Sequence, residues 1–373
     1  MRFNNYTRKI IISYIFLWWF SFALYYVSWL DRLVNMWFAI LLYSVIFFLL
    51  YAFWKFIYWK EQTHYFLFFI IFLYRVSAFI AITVLFIGWF AVYNNEIRPA
   101  QFPLYTLSNW ERTLKFQTVS HIASPSFYLT IRESIRVGWE QGFVLFFEWV
   151  RPWSEENMES FNKALGIDFS DTLYENFSQL YWVTAQNNLL FLWLWAGPDI
   201  NVDMDIDTIM DLYRTKVWER SNDSWTSETL QVDDEIIRIL TDLRPRELLV
   251  LQYINQAMLN FFMRQEWLQW FILERSGVDI FAVILWERDR YVANFIYESD
   301  FENIFALYWK LHFEWILQEL RLLDMRWDIV DVRYKQVIER SSAELMEEYM
   351  QLQNTVRERQ GELLRGVQMS GSN

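Results

Sequence analysis

Three aspartates at every second position, Asp203, Asp205 and Asp207, have the spacing that most invites chemistry. They lie in the acidic stretch 199–211 (DINVDMDIDTIMD). Alternating acids are how an EF-hand loop surrounds Ca2+ with oxygen. Counted from Asp203, the sixth position is Thr208, where glycine is needed for the turn, and the twelfth is Arg214, where a bidentate glutamate is needed. The calcium reading fails at both. The same DMD matches the acid pair with which nucleotide-sugar transferases hold a metal, but no nucleotide-binding pattern accompanies it. The simpler expectation is an Asp-capped start to a helix running through Leu212 and Val217, with acids favoured in its first turn by the helix dipole.

Other chemistry is sparse. The chain has no Cys, which excludes disulfides, thiolate catalysis and Cys-ligated metals. Its three His, at 64, 121 and 312, are far apart and form no HxxxH-type pair. There is no Walker loop, GxSxG, HExxH or GxGxxG. We therefore expect no catalytic residue, no cofactor and no metal site. Arg75 is the one ionisable residue deep inside an apolar run. It reads as a group that snorkels to an interface or pairs with an acid or carbonyl of a partner subunit, with a proton or ion path as the alternative.

The elements around these residues suggest a membrane protein. Gly (9) and Pro (6) are scarce and aromatics reach 21%, which favours helices over turn-rich β structure. Three apolar runs, 10–30, 33–54 and 65–93, are each long enough to cross a bilayer. The first is too long for a signal-peptide core and has no cleavage site after it. Arg2, Arg8 and Lys9 before the first run, and Lys55 and Lys60 after the second, put the N-terminus and the second loop on one side. Residues 96–373 then fall on the other side.

The expected fold is all-α: a three-helix transmembrane bundle (1–95), an acidic, aromatic-rich helical extramembrane domain (96–300), and a long amphipathic docking helix with a tail (301–373). Within it, 138–153 (GWEQGFVLFFEWVRPW) reads as a helix buried in protein or lying at the membrane interface. Residues 221–234 read as an exposed loop and 246–274 as helix, while 278–286 (VDIFAVILW) is strand or buried helix. From 302 to 364 the chain reads as long helix. Its end carries a heptad seam with Ile338, Leu345 and Leu352 at one position and Tyr349, Val356 and Leu363 at the other. Docking on a partner and packing on its own domain are equal readings of that seam.

Charge divides the chain. Residues 1–100 carry eight Lys/Arg against three Asp/Glu, so of the net −12 the remainder carries −17. Such an acidic region is a poor partner for nucleic acid. The cysteine-free, aromatic spans (IIISYIFLWWFSFALYYVSWL, YFLFFIIFLYR) resemble the divergent, mitochondrially encoded membrane proteins of ciliates, although Lys and Asn are scarcer and Arg commoner here. That resemblance implies a subunit of a respiratory-chain complex in the mitochondrial inner membrane. It puts the N-terminus in the matrix and residues 96–373 in the intermembrane space. The partners implied are the lipid bilayer and other subunits. An accessory or diverged core subunit of complex I is the leading expectation, then complex IV or ATP synthase. A stand-alone transferase using Asp203 and Asp205, or a small transporter using Arg75, is the alternative of another class.

Overall fold

The computed structural model describes residues 82–148, 157, 160, 173–192, 199–217, 232–275 and 283–370. The chain divides into two compact units, Met1–Val92 with Leu243–Ile254, and Tyr93–Asp242 with Asn255–Asn373. Of the first, the described parts are a helical stretch over 82–92 and the opening turns of the helix Pro245–Arg264. That helix starts with Pro at its first position, and the Glu247 carboxylate accepts from the Arg244 N–H at 3.1 Å, one half of a capping box. No described helix is long and apolar enough to cross a membrane. The runs 10–30 and 33–54 and Arg75 lie outside the described residues, as does all of the third run before residue 82.

The second unit overturns the all-α expectation. Its centre is a six-stranded mixed sheet. In chain order the main strands are β1 (Gln101–Ser108), β2 (Thr113–Val119), β4 (Val144–Phe147), β6 (Ile200–Asn201), β7 (Asn303–Trp309) and β8 (Asp328–Gln336). A two-residue pair, β3 (Ile122–Ala123) with β5 (Thr184–Ala185), stands apart. The spatial order is β6-β4-β7-β2-β1-β8. The contacts β6/β4, β4/β7 and β7/β2 are parallel, whereas β2/β1 and β1/β8 are antiparallel.

Helices cover both faces. On one, α1 (Pro125–Glu140) sends Phe127, Tyr128, Ile131 and Ile135 into a cluster with Leu145, Phe147, Phe305 and Leu307. On the other, α8 (Arg288–Glu298) and α9 (Phe313–Leu323) bury Val292, Ile296, Phe313 and Leu317 against Phe116, Phe146, Ile304 and Tyr308. Between α1 and α8 in the chain come α2 (Leu173–Tyr181), α3 (Leu189–Leu192), α4 (Ile206–Val217), α5 (Val232–Asp242), α6 (Pro245–Arg264) and α7 (Glu266–Arg275). At Gly138 an added Cβ would lie 3.2 Å from the Phe305 ring, so glycine lets α1 press directly onto β7. Gly142, with φ +82°, turns the chain from α1 into β4.

The reason for the misreading is visible in β7. Successive residues of NIFALYW go to opposite faces, Phe305 and Leu307 to one and Ile304, Ala306 and Tyr308 to the other, and both faces are covered. A parallel strand buried on both sides is apolar throughout and shows no alternation. The same holds for β4, where all four residues are buried. Residues 138–153, expected as one helix, are therefore the end of α1, a turn and β4, followed by residues outside the described set beyond 148. Residues 302–364, expected as one long helix, are β7, a short 3-10 turn Lys310–His312, α9, β8 and the first part of α10 (Ala343–Ser370).

The heptad seam meets its own core. Tyr349 and Val356 of α10 are buried in the cluster formed with α1, and Leu352 packs against it. Ile338 is buried there too, but from the extended segment before the helix. Leu345 is half-buried, and the side chain of Leu363 lies outside the described residues. The helix expected through Leu212 and Val217 is present as α4, and the one expected at 246–274 as α6 and α7 broken at Gln265.

Candidate functional site

Four strands run parallel, so their carboxyl ends share one edge, the edge at which open α/β sheets place ligands. Six ionisable residues gather there. Glu148 directly follows β4, Asp203 lies two residues beyond β6, and His121 two beyond β2. His312 ends the 3-10 turn after β7, and Arg288 and Asp289 open α8.

Arg288 is the hub. Its Nε and one terminal nitrogen donate to the two Asp203 carboxylate oxygens, each at 2.9 Å, a bidentate pairing. The same terminal nitrogen donates to Glu148 Oε1 at 2.7 Å. The other Glu148 oxygen accepts the Trp309 backbone N–H at 3.0 Å, which ties β4 to the end of β7. Asp203 Oδ1 also accepts the Met204 N–H at 2.7 Å. Tyr308, from β7, donates its hydroxyl to the Val202 carbonyl. The side chains of Arg288, Glu148 and Asp203 are 9%, 10% and 1% exposed, so this is a buried network whose members depend on one another.

Beside it, His312 Nδ1 lies 2.5 Å from Asp289 Oδ1. The other ring nitrogen, Nε2, faces Glu148 Oε1 at 3.7 Å, too long for a hydrogen bond, and has no other hydrogen-bond partner. Asp289 Oδ2 is likewise buried and unpartnered. His121 stands nearer the surface. Its ring lies 5.0 Å from that of Tyr174, on α2, and 5.7 Å from that of Trp309, which in turn is 6.0 Å from His312.

This setting drives the two histidines apart. Burial works against charge on His312, but Asp289 and then Glu148 outweigh it and raise the imidazole to about 9. For His121 burial prevails over the attraction of Glu148, and its pKa falls below the ordinary value. Glu148 feels burial upward, but Arg288 and His312 hold it well below the usual carboxylate range. Burial pushes Asp203 and Asp289 up, opposed by Arg288 and His312 respectively. The two-bond pairing with Arg288 keeps Asp203 ionised. Burial and then Glu148 move the Tyr174 phenol to about 12.

The aspartate triplet separates. Asp203 belongs to the buried network, whereas Asp205 Oδ1 accepts the Thr208 N–H at 2.7 Å and caps α4, as expected for a helix start. Asp207 accepts from Asn157 Nδ2 at 2.6 Å. Among the described residues no three His, Asp or Glu side chains converge as metal ligands. Between Glu148 and Asp203 the cation already present is a guanidinium. His121 and His312, far apart in sequence, meet at one sheet edge. His64 lies outside the described residues. Glu148, Arg288 and Asp289 had no motif around them. Their one sequence signal is position, since Glu148 closes an apolar run (FVLFF) and His312 follows another (IFALYW), whereas His121 follows the mixed strand LKFQTV. No family model, no curated protein and no solved structure matches this chain.

Proposed function

We propose that the strand-end cluster is an active site working by general acid–base catalysis, suited to hydrolysis or group transfer at a carbonyl or phosphoryl centre. The observation that carries this reading is the pair of histidines at one edge, both beside the Trp309 ring, with His312 held by Asp289, a setting that pushes their pKa values in opposite directions. A pair of titratable groups whose surroundings push them apart is how one site holds an acid and a base together. His312, charged and fixed by Asp289, presents an Nε2–H with no hydrogen-bond acceptor and serves as the acid. His121, neutral and nearer solvent, serves as the base. Glu148 stabilises positive charge on both rings. Arg288 fixes Glu148 and Asp203 and so sets where His312 faces. Trp309 and Tyr174 supply the aromatic walls.

The test is turnover by the purified full chain on a panel of esters, amides and phosphoesters. Activity should fall at least about a hundredfold in His312→Gln and in His121→Gln, the usual scale for losing an acid or base. Its pH profile should lose rate below 6.5, as His121 protonates, and again near 9, as His312 loses its proton. A panel without turnover, or turnover that survives both substitutions, sinks the reading.

A separate proposal rests on the sequence alone. It holds that the chain is a subunit of a respiratory-chain complex at the mitochondrial inner membrane, as the compositional resemblance implies, with the apolar runs 10–30 and 33–54 as support. Native electrophoresis with mass spectrometry tests this, and a protein that migrates alone refutes it.

A further inference from the structure

Lys335 lies on β8, the edge strand at the far end of the sheet from β6. Its side chain is half-buried and reaches across to α1. Nζ sits 2.6 Å from Ser134 Oγ and 3.4 Å from the Thr130 carbonyl. Ser134 itself donates its hydroxyl proton to Thr130 O at 2.9 Å. Among the described residues no carboxylate pairs with this amine. Arg333, two residues back on the same face of β8, is occupied with Asp331 at 2.8 Å. A partly buried lysine that hydrogen-bonds to a hydroxyl and a carbonyl rather than to a carboxylate departs from the rule that buried charges are paired.

The hydrogen bonds also fix direction. Because the Ser134 proton is committed to Thr130, the Ser134 oxygen can only accept from Nζ. A neutral Lys335 amine therefore turns an N–H inward and leaves its lone pair free. We propose that Lys335 is a nucleophilic amine and a modification site for activated acyl donors, acyl phosphates and thioesters, with Ser134 orienting the attacking nitrogen. In the step, the amine lone pair attacks the acyl carbon and a C–N bond forms. The bond from that carbon to the phosphate oxygen or thiol sulfur breaks and takes its electron pair with it. The proton lost from nitrogen passes to water.

Burial supports this by holding the Lys335 amine down at about 8. At pH 7.5 about a quarter of such an amine is neutral, against about a thousandth of an ordinary lysine. The product amide keeps one N–H for Ser134 and no longer buries a cation, so the fold accommodates it. Lys310 and Lys115 are natural comparators. Lys310 is paired with Glu266 at 2.7 Å, and Lys115 lies over the Phe143 ring and bonds to Gln141.

The experiment is a time course of the full chain with acetyl phosphate at pH 7.5, read lysine by lysine by peptide mass spectrometry, native and in denaturant. Lys335 is expected to acetylate at least about tenfold faster than Lys310 in the native chain, and faster than Lys115, whose amine burial also lowers. The advantage should vanish in denaturant and shrink several-fold in Ser134→Ala, while Ser134→Thr retains it. A native Lys335 rate at or below that of the comparators overturns the proposal. So does an advantage that persists in denaturant or survives Ser134→Ala undiminished. The native-against-denatured comparison needs no variant, so it decides even if Ser134→Ala misfolds.

Discussion

Asp289→Asn removes the charge that holds the proton on His312 while keeping the size of the side chain. In the wild type His312 is raised to about 9 from an ordinary value of 6.5, burial being overcome by Asp289 and Glu148. The folded chain therefore binds this proton more tightly than the unfolded chain does. For a raised pKa the stabilisation is complete below 6.5 and is lost as pH rises through 9. The interval corresponds to about 3 kcal/mol at the acid end. Asparagine withdraws the largest favourable contribution, so burial then drives the ring toward its neutral form. Urea unfolding at pH 6, 7.5 and 9.5 is read as the difference between wild type and variant, because Lys335, held down at about 8, shifts the stability of both in the opposite sense at the alkaline end. The variant should be weaker by up to about 3 kcal/mol at pH 6, with the gap narrowing as pH reaches 9. His121, whose depressed pKa acts in the opposite sense below 6.5, is present in both proteins and cancels in that difference. With only three histidines in the chain, NMR titration of the imidazoles assigns the change directly once His64→Gln and His121→Gln remove the other two signals. A wild-type His312 titrating at or below 6.5, or a stability gap that does not depend on pH, refutes the reasoning.

Arg288→Leu leaves Glu148 and Asp203 buried without their cation and should cost about 3–5 kcal/mol in chemical denaturation; adding Glu148→Gln and Asp203→Asn should recover much of the loss. Tyr349→Ala should lower stability by about 3–5 kcal/mol, because the ring is fully buried in the chain's own core. The half-buried Leu345→Ala should cost clearly less, and equal effects in thermal unfolding would contradict the packing of α10 on α1. Asp205→Ala removes the cap of α4 and should cost about 1 kcal/mol without affecting turnover, whereas Asp203→Ala should impair both.

Local signals survived well where a helix declares itself. Asp205 before Ile206, and Pro245 with Glu247, are start signals that need no tertiary context, and α4 and α6 appear where the pattern put them. The strands were hidden by the tertiary structure they make. In β4 and β7 both faces are covered, so the two-residue alternation that marks a strand is absent and a short apolar run is left, equally readable as buried helix. Read through as helix, 302–364 absorbed β7 and β8 and so lost the sheet. The heptad seam was real as an apolar face on α10, but Tyr349 and Val356 use it against α1 rather than showing it to a neighbour.

The site was hidden for a different reason: none of its residues has a chemical neighbour in sequence apart from Arg288 and Asp289. His121, Glu148, Asp203 and His312 each follow a different strand, and only the strand order brings them together. The decisive step is the placement of β7, last of the parallel strands in sequence but lying between β2 and β4 in space. There the backbone N–H of Trp309 reaches Glu148 after β4, and the Trp309 ring reaches His121 after β2. From the same chain end His312 meets Asp289 of α8. Moved to the sheet's edge, β7 would leave the two histidines without a shared wall and Glu148 without its backbone donor. The meeting of the two histidines is thus a property of the topology, and the apolar sequence of β7 that concealed the strand is also what places it at the centre of the sheet.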